Sequence, residues 1–160
     1  MKFHHVCLIV SDLDRAIEMW TKLFDFKVDI RTVSPDDAIA AAPDSNLVKL
    51  MEDIWGMKGP RTKLALLSSP GGALLELQEA VNPPIQKTPV EYLNYYHTGM
   101  RELAFQVDGI DGWFEKVRKA GFKTQTDYVW SFGDASRSFL FYDHDHHLIQ
   151  LWESEGPPSW

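Results

Sequence analysis

Four residues on strand-like segments have side chains of the types that can bind divalent metal ions. They are His5 in FHHVCLIV, Glu76 in GALLELQEA, Glu102 in ELAFQV and Gln150 in HHLIQLWES. One imidazole, two carboxylates and one amide oxygen form a donor set for a divalent ion, and the two carboxylates would balance its charge. Without a cation, two half-buried carboxylates would be costly, or one of them would take up a proton. These residue types therefore predict a metal site.

The chain contains an internal repeat that makes the four positions equivalent in pairs. Two pairs of segments share a pattern, namely residues 5–27 with 102–123 and residues 72–80 with 146–154. Self-similarity of this kind indicates two copies of one structural unit. Under this alignment His5 is equivalent to Glu102, and Glu76 is equivalent to Gln150. Two copies related by a pseudo-twofold axis, each with a curved sheet, would bring the four side chains together in one cup.

Each copy of the repeat predicts a strand followed by an amphipathic helix. In the first copy Val6, Leu8 and Val10 alternate with residues of the opposite face, which is the period of a strand with one buried side. The next segment has an apolar stripe at helical spacing, formed by Leu13, Ala16, Ile17, Trp20, Leu23 and Phe24. Alternation then places Phe3, His5, Cys7 and Ile9 on the side of the strand that faces away from the helix.

The local signals at the ends of these elements give three further predictions. Ser11 with Asp14 three residues later resembles a capping box at the start of the first helix. Gly121 predicts the end of the second helix. His146 stands where a left-handed backbone is expected, a conformation that His adopts more readily than most residues.

The order of the elements predicts an α+β fold of two tandem βαβββ modules, which form a curved mixed β-sheet cup with helices on the outside. The predicted boundaries are residues 1–80 for the first module, 81–99 for a linker rich in proline, and 100–155 for the second module. Residues 33–61 form a longer segment inside the first module. That segment is interpreted as a lid, a dimer contact or a surface excursion.

The composition of the chain limits the kinds of molecule that the protein is expected to bind. The chain has 160 residues, a net charge of −7, and 23 acidic against 16 basic residues, which argues against nucleic-acid binding. Cys7 is the one cysteine, so an internal disulfide is excluded. No apolar run has the length of a membrane span, and we find no signal peptide. We expect a cytoplasmic protein that binds a small molecule and neither nucleic acid nor membrane.

The chain resembles the vicinal oxygen chelate superfamily, which includes glyoxalase I, methylmalonyl-CoA epimerase, extradiol dioxygenases, and fosfomycin and bleomycin resistance proteins. The resemblance covers about residues 3–154 and is carried by SDLDRAIEMWTKLFDFKV, GGALLELQE, ELAFQVDGIDGWFEKVRKAGF and YDHDHHLIQLWE. It implies a homodimer, and metal ligands at His5, Glu76, Glu102 and Gln150. Two positions depart from the family pattern, because the third ligand is usually His and the fourth is usually Glu.

This resemblance favours a metal-dependent lyase, isomerase or epimerase. A divalent ion, which could be Zn, Fe, Mn, Ni or Co, would polarise a carbonyl substrate, and Glu76 or Glu102 would be the catalytic base. One alternative is an Fe(II) extradiol dioxygenase acting on an aromatic diol, although such enzymes use two histidines and one carboxylate. A second alternative is a binder without catalytic activity, like bleomycin resistance proteins.

Some further side chains are interpreted either as functional or as ordinary structural residues. Trp152, with Phe3 and Ile9, suggests a partly apolar substrate, or else these residues belong to the core. Arg137 could bind a substrate carboxylate or phosphate, although a surface role is the favoured interpretation. The histidines of the last turn, His144, His146 and His147, are expected to face water.

Overall fold

The computed structural model describes residues 1–42, 46–133 and 136–154, so the predicted end of the second module at residue 155 lies outside the described residues. The chain divides into two compact units, Met1–Lys87 and Thr88–Trp160. The division falls within the predicted linker. In the first unit, the last strand continues to Asn82, two residues beyond the predicted end of the first module.

The elements of the first unit follow the predicted order, with two additional helices. They are β1 (Val6–Ile9), α1 (Leu13–Phe24), β2 (Lys27–Ser34), α2 (Asp36–Ala41), α3 (Leu47–Trp55), β3 (Arg61–Ser68) and β4 (Leu74–Asn82). The sheet has the order β1-β4-β3-β2, in which β1 and β4 are parallel and the other pairs are antiparallel. The helices α2 and α3 occupy most of the long segment 33–61, whose role the sequence left open.

The second unit has the same topology. Its elements are a short 3₁₀ helix at Val90–Leu93, β5 (Glu102–Gln106), α4 (Ile110–Lys119), β6 (Trp130–Phe132), β7 (Ser136–Tyr142) and β8 (Leu148–Ser154). The sheet order is β5-β8-β7-β6, with β5 and β8 parallel. The predicted α+β fold of two tandem βαβββ modules with mixed sheets is confirmed.

One face of each sheet is covered by the helix of the same unit. Helix α1 packs against β3 and β4, and α4 packs against β7 and β8. Trp20 of α1 is fully buried, as are Leu77 of β4 and Ile149 of β8. The predicted stripe on α1 is nearly correct, but Met19 takes the buried place expected for Ile17, which is half-buried. In β1, Leu8 is buried whereas Cys7 and Ile9 are exposed, so alternation identified the two faces of this strand correctly.

A glutamate on the last strand of each unit binds the start of that unit's helix. In the first unit Glu79 Oε2 accepts a hydrogen bond from Leu13 N (2.9 Å), and Glu79 Oε1 pairs with Lys63 Nζ (2.6 Å). In the second unit Glu153 Oε1 accepts from Gly109 N (2.5 Å) and from Ile110 N (3.1 Å). A carboxylate at this end of a helix satisfies backbone N–H groups that lack partners within the helix. The two contacts fix each helix to its sheet in the same way.

The helix ends agree in part with the local signals. The residue that caps α1 is Asp12, whose side chain accepts from Arg15 N (3.0 Å), so the predicted capping by Ser11 is wrong. The physical reason is that Asp12 adopts the extended backbone of a cap and lies three residues before a free N–H. Gly121, which follows the C-cap residue Ala120 of α4, has a φ of +88°, as its predicted role requires. His146 has the expected left-handed φ of +63°.

The turn between β7 and β8 is organised by Asp143. Its Oδ1 accepts from the backbone N of Asp145 (2.9 Å) and of His147 (2.8 Å), and its Oδ2 lies 2.8 Å from His147 Nδ1. Burial lowers the pKa of His147, but the hydrogen bond to Asp143 and the charges of Asp143 and Asp145 raise it by more. The net pKa of His147 is above its ordinary value of 6.5.

The prediction that all three histidines of this turn face water is wrong. His147 is half-buried beside Asp143, and His144 packs against the ring of Phe122 at 4.9 Å between centroids. His146 is exposed, with its ring 5.9 Å from that of Tyr142. The rings of His144 and His147 are therefore partly covered by neighbouring side chains.

We predict that the duplicated glutamates contribute similarly to stability. Glu79→Ala and Glu153→Ala should each lower the free energy of unfolding by about 1–3 kcal/mol, because a backbone N–H loses its charged acceptor. The matched control is Glu18→Ala, which removes an exposed pair with Lys22 (2.5 Å) and should cost less than about 0.5 kcal/mol. Urea unfolding measures all three values. Equal effects for the three variants would contradict the assigned role.

We also predict that His147 makes stability depend on pH. Since its pKa is higher in the folded chain, protonation of His147 stabilises the fold; the contribution is complete below about pH 6.5 and is lost as pH rises through the folded pKa. His147→Asn keeps a neutral donor but does not titrate. The melting temperature of the natural chain should exceed that of the variant most at about pH 5.5 and least at about pH 8.5. A constant difference across this range would contradict the prediction.

Candidate metal centre

The first unit brings His5 and Glu76 into contact. Strands β1 and β4 are parallel neighbours, with Val6 opposite Leu75 and Cys7 opposite Glu76. His5, directly before β1, reaches across to β4, so that its Nε2 lies 3.0 Å from Glu76 Oε2. The His5 side chain is 37% exposed and that of Glu76 is 16% exposed. The pair therefore stands on the face of the sheet opposite α1, as alternation predicted.

Neighbouring side chains orient both members of the pair. His4 Nδ1 lies 2.6 Å from His5 Nδ1, so one ring donates and the other accepts. Glu76 Oε1 accepts a hydrogen bond from Gln78 Nε2. A ligating histidine typically has its second ring nitrogen hydrogen-bonded, which fixes the orientation of the ring. His4 thus has a structural role, because it orients the ring of His5.

Cys7 lies next to this pair but is a poor nucleophile. Desolvation of the thiol and the negative charge of Glu76 raise the pKa of Cys7 to about 11, against the effect of a hydrogen bond with Gln78. A thiol with this pKa is almost entirely protonated near neutral pH, and only the thiolate reacts. Cys7 is therefore a poor candidate for nucleophilic chemistry at this face.

In the second unit Glu102 and Gln150 occupy the corresponding strands. Gln150 of β8 lies opposite Ala104 of β5, just as Glu76 lies opposite Cys7 in the first unit. Glu102 is the first residue of β5 and lies opposite Leu148. Both Glu102 and Gln150 are half-buried. The register of the two sheets thus agrees with the sequence alignment that paired Glu76 with Gln150.

Glu102 has a partner that the sequence did not indicate. The hydroxyl of Tyr95 donates a hydrogen bond to Glu102 Oε2. Desolvation, followed by the hydrogen bond and the charge of Glu102, raises the pKa of Tyr95 to about 12, so the phenol keeps its proton. Tyr95 lies in the segment interpreted as a linker. Its one visible signal is the cluster of tyrosines at positions 92, 95 and 96, shortly before a predicted ligand.

Two other residues singled out in the sequence have partners within the second unit. Arg137 forms a two-pronged ion pair with Asp111, at 2.7 and 2.6 Å, and also lies 4.0 Å from Glu153. This contact supports the structural interpretation of Arg137 over substrate binding. The ring of Trp152 stacks on that of Phe132 with 5.1 Å between centroids.

The four predicted ligands have the chemistry of a divalent-ion site, and the distance between His5 Nε2 and Glu76 Oε2 also fits such a site. Two donors that each lie about 2.1 Å from an ion, at right angles, are separated by about 3.0 Å, which is the separation of His5 Nε2 and Glu76 Oε2. The predicted set takes two donors from each unit, one of them an amide. Among the residues that the structure describes, no group of three or more His, Cys, Asp or Glu side chains is placed to hold a metal ion.

Comparison with solved structures shows the fold to be a known one. A glyoxalase family protein from Bacillus cereus matches with a TM-score of 0.80 at 18% identity, over 98% of this chain and 95% of that chain. A glyoxylase/bleomycin resistance protein/dioxygenase domain from Frankia sp. matches with a TM-score of 0.65 at 19% identity, over 97% and 98% of the two chains.

A third similar structure contains a metal ion. The genomically encoded fosfomycin resistance protein from Listeria monocytogenes, complexed with Mn(II) and sulfate ion, has a TM-score of 0.59 at 16% identity, over 96% of this chain and 93% of that chain.

A search of curated proteins found no significant match. In the part of the chain that the structure describes, no helix is both long and apolar enough to cross a membrane.

A family model supplies the classification. The model of the Glyoxalase/Bleomycin resistance protein/Dioxygenase superfamily matches residues 2–151, which is nearly the whole chain. The two βαβββ units and the solved structures of the same fold agree with this match. The chain belongs to the Glyoxalase/Bleomycin resistance protein/Dioxygenase superfamily.

Proposed function

We propose that the chain is a metal-dependent enzyme of the glyoxalase type, and specifically a lyase, isomerase or epimerase acting on a small carbonyl compound. His5, Glu76, Glu102 and Gln150 would hold one divalent ion. The contact that carries the proposal is the 3.0 Å separation of His5 Nε2 and Glu76 Oε2 on two neighbouring strands. The repeated register, with Gln150 placed as Glu76 is, supports a second pair of donors.

The charges of the proposed ligands also support a bound cation. Two carboxylates together carry a charge of about −2, which a divalent ion neutralises. A single imidazole with three oxygen donors favours Mn, Fe, Co, Ni or Zn over copper. Mn(II) is the first ion to test, because the fosfomycin resistance protein of similar fold was solved with Mn(II).

The chemistry follows from the ligands and their neighbours. When bound, the ion would act as a Lewis acid that polarises the carbonyl group of the substrate. Glu76 or Glu102 would take the proton from the carbon next to that carbonyl and return it at the same or a neighbouring atom. Gln78 would hold the Glu76 carboxylate in position through the hydrogen bond to Oε1. Removal of this proton is the step common to the three proposed classes.

The same family membership supports further properties of the proposed enzyme. A homodimer and a small-molecule substrate are common in this superfamily. A cytoplasmic location is consistent with a sequence whose one cysteine excludes an internal disulfide. We infer that the protein is a cytoplasmic homodimer that binds a small molecule.

We predict that His5→Ala and Glu76→Ala each weaken Mn(II) binding by at least about 100-fold, since loss of a ligand should exceed the 10–100-fold cost of losing an outer partner. The matched control is Glu115→Ala, which removes an exposed carboxylate from α4. Titration calorimetry on chelator-treated protein gives the affinities, and circular dichroism verifies the fold. Full metal content in both variants would show that the site is misplaced.

Activity is tested by deuterium exchange at the carbon next to the carbonyl in a panel of α-hydroxy and α-branched carbonyl compounds. Exchange should require both Mn(II) and an intact Glu76. Ring fission of catechols after anaerobic loading with Fe(II) and addition of oxygen would instead indicate a dioxygenase. A natural chain that binds less than about a tenth of an equivalent of any divalent ion would indicate a binder without metal.

A further inference from the structure

The segment before β5 forms a hydrogen-bonded loop that presents Tyr95 to Glu102. Tyr92 N donates to Pro89 O (3.0 Å), and His97 N donates to Asn94 O (3.0 Å). These bonds shape the loop on both sides of Tyr95. The segment interpreted from sequence as a linker therefore has a defined structure at the edge of the second unit.

Arg101 stabilises this loop through hydrogen bonds to its carbonyl groups. Its Nη1 donates to the carbonyls of Tyr92 (3.1 Å) and Asn94 (3.4 Å), and its Nη2 donates to that of Thr98 (3.3 Å). Gly99 permits the arrangement, since its φ is +131° and a Cβ there would lie 2.5 Å from Arg101 Nη2. One guanidinium thus binds carbonyls on both sides of Tyr95. These hydrogen bonds hold the backbone around Tyr95 in the position from which its phenol contacts Glu102.

The contact with Glu102 has a defined chemical consequence. A carboxylate has two oxygens, and the phenol occupies Oε2 as a donor, which leaves Oε1 free of this contact for another partner. A hydrogen bond to an ionised carboxylate is stronger than one between neutral groups and fixes the rotation of the side chain. Tyr95 is 57% exposed, so its position depends on this bond and on the loop more than on burial.

We propose that Tyr95 is a positioning residue for Glu102, holding Oε2 through its hydroxyl so that Oε1 faces the divalent ion. This inference rests on the proposed function, because it assumes that Glu102 is a ligand. With both oxygens of Glu102 engaged, Glu76 is the catalytic base. The family pattern has a histidine at the position of Glu102, and a histidine ring has fewer orientations than a glutamate side chain. The tyrosine would supply the orientation that the longer and more flexible glutamate lacks.

The test compares Tyr95→Phe with Tyr92→Phe. Both changes remove one hydroxyl from the same loop, and the two tyrosines are similarly exposed, at 57% and 56%. Titration calorimetry measures the affinity of each chain for Mn(II). Electron paramagnetic resonance at saturating Mn(II) then reports the ligand geometry. Circular dichroism and melting temperature verify that each variant is folded.

The expected result is specific to Tyr95. Tyr95→Phe should bind Mn(II) about 10–100-fold more weakly and alter the zero-field splitting, as loss of an outer-shell partner does. Tyr92→Phe should keep the natural affinity within about twofold and the natural spectrum.

Three results would overturn the inference. One is an affinity for Tyr95→Phe within about twofold of the natural chain. Another is a general effect on the loop, seen either as weaker binding by Tyr95→Phe with an unchanged spectrum or as equal weakening by Tyr92→Phe. The third is a natural chain that binds no divalent ion, which overturns the proposed function as well. The first two outcomes leave the proposed function intact, so the two failures are distinguishable.

Discussion

The parallel pairing of the first and last strands of each unit determines where every candidate ligand lies. Side chains alternate between the two faces of a strand, so a shift of one residue in register would move a donor into the core. Leu75 and Leu77, on either side of Glu76, are 2% and 0% exposed, and their burial fixes the register of β4. The hydrophobic core thus fixes which face of the sheet presents Glu76.

The same alternation separates two kinds of glutamate on β4. Glu76 stands on the face opposite α1, where it contacts His5. Glu79, three residues later, stands on the helix side and binds Leu13 N and Lys63. An odd spacing places two acidic residues of one strand on opposite faces. One carboxylate therefore stabilises the fold while the other remains available for chemistry.

Periodic features of the sequence predicted the fold well. The duplicated strand and helix patterns depend on burial, which repeats every two residues in a strand and every 3.6 residues in a helix. The contacts made by loops were not predicted. Tyr95 reaches Glu102 because Arg101 binds the carbonyls of a loop that has no periodic pattern. The cap of α1 was misplaced by one residue for a similar reason, since Ser11 and Asp12 are both good caps and only the backbone dihedrals distinguish them.

The central proposal is that His5, Glu76, Glu102 and Gln150 hold one divalent ion. An anomalous diffraction map from crystals grown with Mn(II), measured on both sides of the manganese edge, tests this claim directly. We expect one strong peak per chain, within about 2.5 Å of donor atoms of His5, Glu76, Glu102 and Gln150. A peak coordinated by other residues, or a map without a peak from crystals saturated with Mn(II), would contradict the claim.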